Sequence, residues 1–262
     1  PAKTGAPLLA LSKVTTPDVG SVPGLKSVSL ALKAGQIVGL AGVSGNGQAA
    51  MADVVGGLLS PSDGQVILGS ETVQKWTPRV AVQSGIARIP EDRHKKGTIA
   101  DFDLIENAIL ERYKSPAFSK GGWMNWRKSR AFADGIIDKY DVRCPGSDTP
   151  IRLLSGGNMQ KLILGRVLEA DPQIILANQP VRGLDIGAVN YVHSRLLSAR
   201  ERGAAVLLIS EDLDEVMALS DVIHVIADGR LSPEFKRGEM TPAQLGLWMA
   251  GQGFEADIAH AS

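Results

Sequence analysis

Between Ser27 and Leu32 apolar and polar residues alternate, which is the signature of a half-buried strand, and Leu8–Val14 also reads as a strand. Ala34-Gly35 turns the chain into an apolar run, Gln36–Leu40, that continues straight into a glycine-rich loop. After the loop, Ala49–Leu58 has helical spacing, Pro61-Ser62-Asp63-Gly64 makes a turn, and Gln65–Leu68 is a short strand. The pattern changes from about Lys95 to Pro150. Asp103–Tyr113 and Trp126–Tyr140 look helical, Ser119-Lys120-Gly121-Gly122 breaks them apart, and no strand is expected. Strand and helix then alternate: helix Asn158–Glu169, strand Gln173–Ala177, helix Ala188–Arg202, strand Ala205–Ile209, helix Leu213–Leu219, strand Val222–Ile226. Such alternation predicts an α/β domain with a mostly parallel sheet under covering helices. Asp228-Gly229 is expected to turn a hairpin, and the last ten or so residues to fray.

With 262 residues, 44% of them hydrophobic, the chain can bury one large α/β core, with or without a small appendage. Its 28 Lys and Arg balance 28 Asp and Glu, so nothing in the charge calls for a nucleic acid, and none is expected as a partner. The single cysteine, Cys144, rules out an internal disulfide and the usual four-ligand zinc site, and suits a reducing compartment. No apolar run approaches the roughly 18 residues of a bilayer span, and the chain is expected to be soluble by itself. The opening Pro1-Ala2-Lys3-Thr4-Gly5-Ala6-Pro7 has the composition of an interdomain linker, and suggests a piece of a longer chain.

The glycine-rich loop, Gly42-Val43-Ser44-Gly45-Asn46-Gly47-Gln48-Ala49-Ala50, follows a strand and opens a helix, the context of a phosphate-binding loop. Glycines let consecutive N–H groups point inward, and the helix N-terminus adds positive potential. The frame fits Gly-x-x-x-x-Gly-Lys-Ser/Thr except at its chemical end. Gln48 stands where the lysine belongs, and Ala49 where the magnesium-binding hydroxyl belongs. An amide can still donate a hydrogen bond to a phosphate, but the charge is gone. Taken alone, the loop is equally consistent with a purely structural turn.

Leu154-Ser155-Gly156-Gly157-Asn158 is far more specific, and lies upstream of the apolar strand Ile174-Ile175-Leu176. Ser155 can cap the helix that follows, and two glycines let backbone N–H groups approach an anion. Together with the loop, this order of segments resembles the ABC ATPase family, whose signature is Leu-Ser-Gly-Gly-Gln. The resemblance implies a P-loop NTPase-like ABC core, mostly parallel with antiparallel strands, plus a small helical subdomain. It covers nearly all of residues 8–231 and divides the chain into core at 1–94 and 158–235, a helical subdomain at 95–157 ending in the signature, and a tail at 236–262.

In this family two domains meet head to tail, and each nucleotide lies between one domain's phosphate loop and the other's signature. The resemblance therefore assigns Leu154, Ser155, Gly156, Gly157 and Asn158 to a partner's site, and Gly42–Ala50 to the chain's own. Where active members end a strand in Asp-Glu-Pro, this chain has Asn178-Gln179-Pro180, and Glu211 stands in place of the switch histidine. Glu91 takes the position of the lid glutamine, and Asp185 is the Asp of the loop that crosses to the partner. No aromatic residue precedes Trp76 to stack on an adenine. With lysine, hydroxyl, both carboxylates and histidine absent, no catalytic residue is expected in the chain's own site. Magnesium is expected only at the partner's, and ATP binding by the loop stays open.

The loop, Pro90-Glu91-Asp92-Arg93 and the signature together look like the second half of a tandem ATP-binding subunit that drives import of nucleosides or simple sugars, and Asn178-Gln179 leans toward nucleosides. The resemblance implies four things: a first ATP-binding half as partner, transmembrane permease subunits, a solute-binding protein met only indirectly, and peripheral attachment to the cytoplasmic face of the inner membrane. Two alternatives remain at this point: an active ATPase domain using unorthodox residues, and a soluble ABC protein without a transport role. The short basic runs at Arg93–Lys96 and Arg127–Arg130 could touch membrane-subunit loops or phosphate but read first as solvated faces, His224 reads as a structural residue within a strand, and Trp123 and Trp126 as packed against the insert's second helix.

Overall fold

The computed structural model describes residues 5–254. The expected frayed end from residue 255 onward, and residues 1–4 of the linker-like start, lie outside them. In chain order the first elements are β1 (Pro7–Thr15), β2 (Val28–Lys33), β3 (Ile37–Ala41), α1 (Gln48–Val55), β4 (Asp63–Leu68), β5 (Glu71–Thr72), α2 (Pro78–Gln83) and β6 (Ile86–Ile89). Next come α3 (Leu104–Ile109), the short strands β7 (Ser119–Lys120) and β8 (Trp123–Met124), α4 (Trp126–Lys139) and α5 (Gly156–Leu168). The rest is β9 (Ile174–Asn178), α6 (Ile186–Glu201), β10 (Ala205–Ser210), α7 (Leu213–Leu219), β11 (Val222–Ala227), β12 (Arg230–Leu231), β13 (Phe235–Lys236) and α8 (Pro242–Met249).

Two compact units result. Among the described residues the first takes in 5–88, Pro172–Gln179, and 195–254. In it β11, β3, β10 and β9 lie side by side in that order, and β12 and β13 run antiparallel to β11. The three central pairings are parallel: Leu207 pairs with Val38 on one side and Leu176 on the other, and Ile223 pairs with Gly39. Every residue of β3, β10 and β11 is buried, which is why these strands read as continuous apolar runs rather than as alternation. A second sheet, β2-β1-β4-β5, is antiparallel, and one apolar cluster containing Leu11, Leu30, Val38, Met51 and Leu207 joins the two.

The second unit is Ile89–Asp171 with Pro180–Ser194. Its helices carry local start signals. Asp103 and Glu106 form a reciprocal capping box on α3, and Asn125 caps α4. Buried Arg166 of α5 donates to the carbonyls of Asn107 and Gly97.

Four departures from the sequence reading have physical causes. Helix α1 ends at Val55 rather than Leu58, because Gly57 turns left-handed (φ +74°) and passes so close to Thr77 that a Cβ would stand 2.5 Å from its carbonyl oxygen. The Gly121-Gly122 break closes a tiny hairpin, β7-β8, where no strand was expected. The tail holds α8, whose Thr241–Gln244 capping box and Pro242 at the first position were legible signals. Trp123 and Trp126 are not packed away: they are 83% and 54% exposed.

His224 is buried in β11, where its Nδ1 donates to the Ser232 carbonyl at 3.0 Å. Burial pushes its pKa below the ordinary value, outweighing that hydrogen bond. The unfolded chain takes up a proton near pH 6.5, the ordinary histidine value, and the folded chain resists it. The stability this group contributes is therefore full above about pH 6.5 and falls as the pH drops through that value toward the depressed one. Denaturant titrations at several pH values should show His224→Gln flattening this part of the stability curve.

Candidate functional site

The parallel register brings three of the sequence-marked segments to one edge of the first unit. Ala41 pairs with Ser210 and Ile209 with Asn178, so the loop after β3, Glu211 after β10, and Asn178-Gln179 at the end of β9 share the carboxyl ends of neighbouring strands. In open α/β sheets that edge is where ligands bind.

The loop is held from within. Gly45 and Gly47 are left-handed (φ +84° and +112°), and a Cβ on Gly42 would meet the Ile226 carbonyl oxygen at 2.6 Å. Asn46 ties the loop to the β11–β12 turn: its side-chain oxygen accepts from the Asp228 N–H and its carbonyl from the Gly229 N–H, both at 2.9 Å. Gln48 is 8% exposed, with its carboxamide folded back into the loop. Its Oε1 accepts from the Asn46 N–H at 2.9 Å, and its Nε2 donates to the Val43 carbonyl at 2.7 Å. A single amide thus supplies both an acceptor for an inward N–H and a donor for a loop carbonyl.

Across the same edge, Gln179 sits in the left-handed region (φ +50°), and its Oε1 accepts from the Glu211 N–H at 3.4 Å. This donor set does not suit magnesium. Ala49 has no side-chain oxygen and Asn178 and Gln179 are neutral, while among the described residues no three His, Cys, Asp or Glu gather to hold a metal ion.

The signature segment lies in the second unit, with Glu91 and Asp185. Ser155 caps α5, accepting from the Asn158 N–H at 3.4 Å and from Asn158 Nδ2 at 3.0 Å. Helix α5 begins at Gly156, two residues before its expected start, because the serine cap and not the asparagine sets it. Asp185 Oδ1 accepts from the Ala188 N–H at 2.9 Å at the start of α6, and Gly157 faces that pair. Glu91 pairs with Arg182 at 2.6 Å in an exposed position, where such a pair contributes little stability. Leu153 and Ile186 flank the segment in the open, Ile186 at 80% exposure. Arg93, which the sequence reading placed on a solvated basic face, lies against Gly156 instead.

A family model described as "ABC transporter" matches residues 25–182, from the second strand's approach through the signature to the loop beyond β9. The chain belongs to the ABC transporter family. Among curated ABC proteins it is 43% identical over 250 residues to the guanosine import ATP-binding protein NupO of Bacillus subtilis, covering 95% of this chain and 49% of that one. It is 37% identical over 227 residues to the nucleoside import ATP-binding protein NupA of Lactococcus lactis, covering 87% and 45%. The chain thus spans about half the length of the curated relatives it matches. A solved nucleotide-free ATP-binding cassette from an ABC transporter gives a TM-score of 0.75 at 21% identity, over 92% of this chain and 98% of that one, a likeness of fold. A dimeric cassette in a post-hydrolysis state, bound to ADP and phosphate, gives 0.73 at 25% identity over 87% and 98%. The fold is therefore that of an α/β ABC ATPase, with a mixed sheet. No helix among the described residues is long and apolar enough to cross a membrane.

Proposed function

We propose that this chain is the second nucleotide-binding half of a tandem importer subunit, that its own site does not hydrolyse ATP, and that its signature completes the site of the first half. The observation that carries the reading is Gln48. Its carboxamide meets the loop's needs from inside, where an active loop presents N–H groups and an ammonium to phosphate. The neighbouring amides, Asn178 and Gln179, can neither neutralise magnesium nor take a proton at neutral pH. The signature, by contrast, keeps its cap and both glycines. Relatives about twice as long support the tandem arrangement, and the guanosine and nucleoside importers among them favour a nucleoside over a sugar. A glucose import ATP-binding protein of Haloferax volcanii, 36% identical over 251 residues, keeps the sugar reading alive. ATP at the partner site with magnesium, peripheral attachment to the inner membrane, and indirect contact with a solute-binding protein follow from the same reading. Phosphate release by the isolated chain with magnesium and ATP should stay at background; turnover that disappears in Gln48→Ala would sink the proposal.

An apolar groove in the second unit supports a membrane-subunit partner. A cavity of about 250 Å³ is lined by Phe102, Ile109, Leu110, Tyr113, Met124 and Trp126 with one charged residue, Glu106, and Trp123 is exposed nearby. Exposed apolar surface of this kind marks interaction sites. Trp126→Glu should therefore reduce co-purification of the membrane subunits by about tenfold, the loss expected when a charge enters an aromatic anchor, while the melting temperature stays unchanged. Normal recovery of the membrane subunits would remove the groove from the account.

A further inference from the structure

We propose that Arg93 is a further phosphate-contacting residue of the signature surface, presenting a fixed positive charge to the terminal phosphate of the nucleotide held at the partner's site. The inference rests on the reading that the signature works on a partner.

Arg93 begins the single π-helical turn Arg93–Gly97, which is anchored at both ends. The Asp92 carboxylate accepts from the His94 and Lys95 N–H groups, and the Thr98 hydroxyl donates to the Arg93 carbonyl at 2.9 Å. From that base the guanidinium reaches across to the signature. Nη1 donates to the Arg182 carbonyl at 2.8 Å, and Nη2 lies 2.9 Å from where a Cβ on Gly156 would stand and 3.7 Å from where one on Gly183 would. Two glycines therefore leave the space that this side chain occupies.

Nothing nearby neutralises it. Among the described residues Arg93 makes no ion pair, and Glu91 pairs with Arg182 instead. Asp185 lies toward Gly157 and has one oxygen engaged by the Ala188 N–H, while Asp92 faces its own turn. The Arg93 Nε is buried and makes no hydrogen bond. A guanidinium carries five donors in a planar fork suited to phosphate, and with Nε shut off from solvent it is the outer nitrogens that can meet one. Beside it, the N-terminus of the 13-residue helix α5 offers its own positive end and the Gly156 and Gly157 N–H groups. A phosphate oxygen meeting those groups would also meet Arg93.

The test compares variants in the complete subunit assembled with its membrane partners, measuring the affinity for a non-hydrolysable ATP analogue and for ADP alongside turnover. Arg93→Gln, which keeps a donor and loses the charge, should weaken the triphosphate analogue about tenfold to a hundredfold, the range for one charge-assisted hydrogen bond, and leave ADP unchanged. Arg93→Lys, which keeps the charge without the fork, should retain at least a tenfold advantage over Arg93→Gln. Gly156→Ala places a Cβ in the guanidinium's position and should show the same selective loss. Equal behaviour of the Lys and Gln variants, or parallel weakening of ADP and the analogue, would make Arg93 a structural strut and overturn the proposal. Ser155→Arg is the separate control: if it leaves turnover intact, the partner-site reading itself fails, whatever Arg93 does.

Discussion

Ser155→Arg should bring turnover of the assembled importer down to background, a loss of a hundredfold or more, while Gln48→Ala changes it by less than about twofold. The first half of that expectation follows from where Ser155 sits. It is exposed, it caps α5 through the Asn158 N–H, and it stands beside two glycine N–H groups at a helix N-terminus. Losing the cap alone would cost about 1 kcal/mol, so Ser155→Ala should be mild. An arginine adds bulk at the surface where the partner's nucleotide would dock, and removal of one preorganised electrostatic group already lowers rates by about 10²–10³. Gly156→Asp should be as damaging, because its carboxylate would enter the Arg93 guanidinium's place and bring negative charge to the anion-binding end of the helix. The second half follows from the self-satisfied state of Gln48, which leaves the loop little to lose. Phosphate release with melting temperature measured in parallel separates loss of function from loss of fold. A dead Gln48→Ala beside an active Ser155→Arg would reverse the assignment of the two sites.

Much of this was legible in the sequence because the relevant features are local. Strands buried on both faces announce themselves as unbroken apolar runs, so β3, β9, β10 and β11 stand close to where periodicity put them. The serine cap of α5 and the substitutions at Gln48, Ala49, Asn178, Gln179 and Glu211 are matters of residue identity, and spacing exposes them. What the sequence concealed is side-chain direction. Whether a glutamine points at a ligand or folds back onto its own loop depends on whether the Asn46 N–H and the Val43 carbonyl lie within reach, which no motif states. Arg93 sat within a run of basic residues, and such runs are usually solvated. Only the approach of Gly156 and the Arg182 carbonyl sets it apart from exposed His94, Lys95 and Lys96. Trp123 and Trp126 misled for a related reason. Aromatic residues bounding a helix normally pack, but Trp123 lies exposed in the β7-β8 hairpin and Trp126 opens α4 with much of its ring in the open.

Gly39→Ala should destabilise the first unit by about 3 kcal/mol, the upper part of the range for overpacking a close-fitted core. Gly39 lies in the middle of β3, pairing with Leu208 on one side and Ile223 on the other. Its missing side chain faces α7, which covers the sheet there. A Cβ would stand 2.2 Å from Ser220 Oγ, 2.6 Å from Val216 Cγ1 and 2.9 Å from Ser220 Cβ. One of these, Ser220 Cβ, is bonded directly to the backbone, so no rotamer change at Ser220 clears the space, and the end of α7 must move away from the sheet. The strand cannot shift in compensation, because it is held by parallel neighbours on both edges and runs directly into the phosphate loop. For a chain of this size the melting temperature should fall by roughly 6–12 °C. Pairing Gly39→Ala with Val216→Ala and Ser220→Gly, which removes all three obstructing atoms, should recover part of the loss relative to the same two changes made alone. A coupling energy near zero in that cycle would show that the tight approach of α7 to β3 is not what requires glycine at position 39.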